Sequence, residues 1–188
     1  MTTTTAAPVR SLGLPTGRWV VDARRSHLGV AVRIGGLATV RGRFTDVRGH
    51  VDVAAEPERS AVVAEIRTGS LTSGSPRWDR ILTAAGLVDA AAHPVLTYRS
   101  TALRALPTPG RWRLDGVLTT RRGAERLTFA LAGPTAGADG RAGFRARAKL
   151  PAVVAAQLLA RRDAELLLGP DLALDLQVEV AKPGDSPR

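Results

Sequence analysis

Residues 17–53 read GRWVVDARRSHLGVAVRIGGLATVRGRFTDVRGHVDV, and their alternation decides the fold class. The first run carries Trp19 and Val21, then Leu28, Val30, Val32 and Ile34, as one apolar face. His27, Gly29, Ala31 and Arg33 fall on the other face. A period of two is the mark of a strand with one buried side. Gly35-Gly36 punctuates, and a second run extends from Leu37 to Val53. Gly42 and Gly49 inside it read as bulges or bends. Long strands bent in this way suit a sheet that curls and closes on itself.

The alternation continues outward. Strands are expected over 18–22, 27–34, 38–54, 60–68, 95–103, 111–119, 125–131, 141–150 and 172–180. In 111–119, Trp112, Leu114, Gly116 and Leu118 face one way, with Arg113 and Asp115 opposite. Ala142, Phe144, Ala146 and Ala148 oppose Arg141, Arg145, Arg147 and Lys149. Residues 133–140 read as a loose loop. Pro76 opens a short helix over 77–85, which Gly86 ends, and Asp89 caps a turn over 90–93. The segment PAVVAAQLLARR at 151–162 has helix-favouring residues with arginines at its end. About eight alternating strands with short connections mean an antiparallel sandwich or barrel.

The chain has 188 residues, enough for one domain with a substantial core. We expect a disordered leader over 1–16, one barrel domain over 17–181 and a tail over 182–188. There is no cysteine, so disulfide and thiol chemistry are excluded. Three histidines give little material for a metal site, and no metal or cofactor is expected. The Thr/Ala-rich opening lacks the apolar run of a signal peptide, and no run reaches the roughly 18 apolar residues of a membrane helix. These features place the protein in the cytoplasm with no membrane span. The net charge is +10, and of 27 cationic residues all but Lys149 and Lys182 are arginine. Such a balance favours anionic partners, but solvated outer faces of strands account for it as well.

Several motifs recur in a familiar order. Trp19-Val20-Val21-Asp22, Ser26, the apolar run 28–32, and Val40-Arg41-Gly42-Arg43-Phe44 with Val47 and Gly49 come first. Ser70-Leu71-Thr72, Leu87-Val88-Asp89, His93-Pro94, Ser100, Gly116-Val117-Leu118-Thr119 and Leu168-Gly169-Pro170-Asp171 follow. Together they resemble the YceI-like family over residues 18–181. The resemblance implies an all-β, antiparallel, lipocalin-like barrel of about eight strands with one or two short helices. It also implies an interior that holds a polyisoprenoid chain. Similar proteins are often homodimers; no interface is legible in this chain. The chain departs from the pattern at Val30 or Val32 and near Leu87 and Val88, where aromatics are usual. It departs near Ile34, where a histidine is usual, and over 151–162.

An eight-stranded barrel is either filled by side chains or holds one small ligand. The inward set includes the small residues Ala64, Gly116, Ala142, Ala146 and Ala148, and the chain has only seven aromatics (Trp 3, Tyr 1, Phe 3). Small inward residues leave volume that a helix or a long apolar ligand must fill. The expected lining is Val30, Val32, Ile66, Trp112, Leu114, Phe129, Phe144, Leu174 and Val178. The function read from this set is binding, storage or transport of a polyisoprenoid- or quinone-like lipid. The alternative is a barrel enzyme acting on a hydrophobic intermediate, with no catalytic residue assigned. Asp22, Ser26 and His27 are adjacent, yet Ser26 and His27 point to opposite faces of a strand, which argues against a triad. Around the helical segment stand Asp79, Asp89, His93 and Tyr98, with His93 the histidine to test as a general base. Specific nucleic-acid binding is disfavoured, because Trp112, Phe129 and Phe144 face inward and leave no stacking platform.

Overall fold

The structure is a computed structural model that describes residues 11–34, 38–84, 90–151, 153–155 and 168–183. Eleven β-strands account for most of it. In chain order they are β1 (Gly17–Val21), β2 (His27–Ile34), β3 (Ala38–Phe44), β4 (Val47–Val53), β5 (Ala61–Arg67) and β6 (Leu71–Thr72). After the helix α1 (Pro76–Ala84) come β7 (Val95–Ala105), β8 (Arg111–Thr120), β9 (Gly123–Ala136), β10 (Ala142–Pro151) and β11 (Leu168–Ala181). All pairings are antiparallel. The order β1-β4-β5-β7-β8-β9-β10-β11 closes through β1–β11, and β2-β3-β6 continue from β11.

Three pairs of short strands are halves of longer ones. β1 and β2 run along opposite stretches of β11, β4 and β3 lie beside them, and β5 and β6 lie beside those in turn. The result is a closed, eight-stranded, antiparallel barrel in which each strand neighbours the next in sequence. Closure through β1–β11 removes the edges there, while β3 and the two-residue β6 end the sheet on the other branch.

The breaks have a common purpose. Inward residues are odd-numbered in β1 (Trp19, Val21) and even-numbered in β2 (Leu28, Val30, Val32). They are even in β3 (Val40, Phe44) and odd in β4 (Val47, Val53). Each interruption inserts an odd number of extra residues and returns the apolar face to the interior. Ser26 bridges the first, its hydroxyl accepting from the Glu179 N–H at 3.1 Å. Thr45 N–H donates to Ser70 C=O across the other two.

Four expectations are corrected. The strand expected over 38–54 is broken at Thr45–Asp46, and neither Gly42 nor Gly49 is a bulge. Gly49 allows close approach instead: a Cβ there would lie 2.7 Å from the Val63 carbonyl oxygen. The loop expected over 133–140 is strand as far as Ala136, paired through Thr135↔Gly143 and Ala136↔Ala142. The last strand begins at Leu168, where it pairs with Ile34. Within the leader expected over 1–16, Leu12 is buried in the core and Pro15 C=O accepts from the Trp19 indole. In the tail expected over 182–188, Lys182 lies over the Trp19 ring at 5.8 Å. Gly35-Gly36, Gly86, Leu87-Val88, Asp89 and residues 156–162 lie outside the described residues; within 151–162, residues 153–155 are helical.

Candidate functional site

The inward faces of the strands enclose a cavity of about 220 Å³. Its wall is aliphatic and aromatic, and no charged side chain lines it among the described residues. The two hydroxyls at the wall are engaged. Ser60 Oγ accepts from Ala54 N–H at 3.1 Å. Tyr98 donates towards the Leu114 and Leu127 carbonyls at 3.4 Å each. Burial pushes the Tyr98 phenol well above its ordinary pKa, so it stays neutral. An apolar cavity of this kind excludes water and accepts apolar guests; roughly 150 Å³ suffices for a benzene-sized one.

The cavity is long. Leu172, Leu174, Leu176, Val178 and Val180 all line it from β11. Alternate positions over that stretch span about 26 Å of strand, or about 20 Å along a barrel axis given the usual tilt. Leu12 and Leu14 close the end where β1 begins. Ala155 and Leu150 line it at the opposite end. A tube of these proportions matches an extended chain better than a compact ligand.

Of the residues expected to line the interior, Val30, Val32, Ile66, Leu114, Phe129, Phe144, Leu174 and Val178 all do. Trp112 does not. It is 3% exposed, and its indole N–H donates to Gly133 C=O at 3.0 Å, which turns the ring into the wall near the β9–β10 end. The small inward residues divide. Ala64 and Ala146 face the cavity. The space above Gly116 is taken by Tyr98, whose ring atoms would stand 2.4 Å from a Cβ there. Tyr98 in turn packs edge-on against Phe129, with ring centroids 5.3 Å apart. Leu12 and Leu14, which also line the cavity, precede the first alternating run and carry no periodic signal.

Of the polar residues weighed as catalytic, Asp22, Ser26 and Asp79 are occupied in structural roles. Asp22 Oδ1 accepts from Arg24 N–H at 3.0 Å and forms the turn after β1. Ser26 sits in the break before β2, its hydroxyl accepting from the Glu179 N–H of β11, and His27 is exposed. Asp79 accepts from Ser73 N–H and Oγ at 2.6 Å each and from Thr72 Oγ1 at 2.8 Å. Those bonds, Ser73's first, hold its carboxyl below the ordinary range and pin the 72–75 loop to α1. His93 is buried, and its carbonyl accepts from Thr68 Oγ1. Asp89 lies outside the described residues. No group of three or more His, Asp or Glu side chains is placed to hold a metal ion among the described residues.

Comparison with known proteins agrees with this geometry. Residues 19–163 match the YceI-like domain family. A UPF0312 protein of Azotobacter vinelandii is 30% identical over 90 residues, 46% of this chain and 47% of that protein. The match thus spans about half the length of that relative. Among solved structures, BcnA of Burkholderia cenocepacia superposes with a TM-score of 0.73 at 16% identity, over 86% of this chain and 99% of that one. A polyisoprenoid binding domain from Saccharophagus degradans, implicated in plant cell wall breakdown, gives 0.61 at 14% identity, over 88% and 98%. The YCEI protein of Campylobacter jejuni gives 0.61 at 18% identity, over 78% and 88%. At these identities the structures share the fold.

Proposed function

The chain belongs to the YceI-like domain family, and from that membership and its cavity we infer that it binds a long apolar lipid, of polyisoprenoid or quinone type, inside the barrel. The observation that carries the reading is the cavity itself: about 220 Å³, elongated, and walled without a charge among the described residues. Filling it with an apolar chain stabilises the protein, because an empty interior forgoes packing contacts. The residues that would touch the chain are Val30, Val32, Ile66, Leu114, Phe129, Phe144, Leu174 and Val178. Among the described residues the wall offers hydrocarbon contact and no charged group, and the reading is storage or carriage of the lipid. A polyisoprenoid-binding domain among the structural neighbours supports the ligand class. The cytoplasmic location read from the sequence is part of the proposal and is checked by fractionating cells that express the full chain.

Native mass spectrometry and organic extraction of the purified protein test this directly. A co-purified lipid of isoprenoid type is expected. Phe144→Trp places a reporter in the wall, and its emission is expected to shift as prenyl alcohols of increasing length are added. An empty extract together with an unresponsive Phe144→Trp protein sinks the carrier reading.

A further inference from the structure

Among the described residues, one end of the barrel carries α1, the β8–β9 turn and the end of β10. On α1, Trp78 is 39% exposed, and its neighbours Arg77 and Arg80 are exposed too. Arg121 and Arg122 make the β8–β9 turn and are exposed. Lys149 faces outward near the end of β10, and Val153 just beyond it is 52% exposed. Of the acidic residues described here, Asp79 is held by Thr72 and Ser73, while Glu125 and Asp171 are exposed. Among the described residues Arg77, Arg80, Arg121 and Lys149 enter no ion pair. At the opposite end Arg18 pairs with Asp52, Arg25 with Asp22, Arg59 with Glu56, and Arg141 with Asp22 and Asp139, while Arg24 and Arg111 are exposed and enter no ion pair among the described residues.

A half-exposed indole at an end of the barrel that also carries exposed arginines suits the boundary of a lipid bilayer. The ring meets the acyl region, the indole N–H stays among the headgroups, and each cation near an anionic surface adds attraction. A single-stranded nucleic acid would need a series of exposed aromatics, but Trp19 and Trp112 are each 3% exposed. We propose that this end of the barrel docks on an anionic phospholipid surface. Docking there brings the barrel to the phase in which an apolar chain resides. The purpose rests on the lipid-binding reading; the docking does not.

The test uses the full chain with two kinds of vesicle, phosphatidylcholine alone and two parts phosphatidylcholine to one of phosphatidylglycerol. Co-sedimentation is expected with the anionic vesicles and is expected to weaken as salt rises. Tryptophan emission should shift to the blue on binding, and the shift should vanish in Trp78→Phe. Arg77→Ala and Arg121→Ala should each weaken binding about fivefold, while Arg18→Ala at the other end leaves it unchanged. Equal binding to neutral vesicles, no binding at all, or equal loss with Arg18→Ala overturns the proposal. So does tighter binding to a single-stranded RNA oligonucleotide than to the vesicles. Uptake of a prenyl alcohol by Phe144→Trp in vesicle-free solution separates the two readings. Uptake without docking removes this proposal alone, and docking without uptake removes the carrier alone.

Discussion

Ala146→Leu distinguishes an empty lumen from a filled one by the sign of its effect. Ala146 faces the cavity from β10, between Leu131 of β9 and Leu176 of β11, which line it too. At about 24 cal/mol per Å³ of void, a cavity of 220 Å³ corresponds to about 5 kcal/mol lost relative to a filled interior. Leucine adds three carbons, and at about 0.8 kcal/mol each it recovers about 2 kcal/mol. For a chain of this length that is a rise of about 4–8 °C in Tm. In a tightly packed interior the same substitution would lower stability by about 1–3 kcal/mol. The assay is thermal unfolding of protein refolded from denaturant, so that carried lipid is removed, with and without a prenyl alcohol. The variant should be more stable than the parent alone and should gain less from the alcohol, because it has less room to offer. A lower Tm in the ligand-free variant would refute the reasoning, since it would mean that the lumen has no space for three carbons.

Gly116→Ala should destabilise by about 1–3 kcal/mol, because its Cβ would meet Tyr98 at 2.4 Å and the Arg99 carbonyl at 2.6 Å; a denaturant midpoint equal to the parent's would disprove it. Leu12→Ala should cost about 2–4 kcal/mol and speed exchange of a bound prenyl alcohol, since Leu12 is 5% exposed and closes one end of the cavity; stopped-flow exchange and chemical unfolding check both parts. Asp79 has a lowered carboxyl pKa through its bonds to Ser73 and Thr72. Its contribution is therefore full above the unfolded carboxylate value, near 4, and is lost as pH falls through the lower folded value. Amide exchange should show the 72–75 loop loosening on acidification in the parent, and already loose at neutral pH in Asp79→Ala.

The polarity of each strand was legible because alternation needs no partner to be read. Leu114, Phe129, Phe144, Leu174 and Val178 sit inward for the same reason that they alternate with arginines and aspartates in the chain. The turn at Asp22 was legible too, since an aspartate before Ala23–Arg25 binds its own backbone. Trp112 shows where alternation stops. It is inward by parity, yet its rotamer is set by the Gly133 carbonyl on a neighbouring strand.

By itself, then, the sequence determined a period-two chain with one greasy face, a family, and a short list of wall residues. Tertiary structure alone decided that β11 meets β1, that breaks at 22–26, 45–46 and 68–70 fall on adjacent strands, and that Leu12 and Leu14 close one end of the lumen. Those outcomes depend on register and on contacts between residues more than a hundred positions apart, such as Val21 with Val180. A local pattern fixes which side of a strand is buried. How much room remains inside is fixed only when every strand is in place, because a cavity is the remainder left by all of their side chains together.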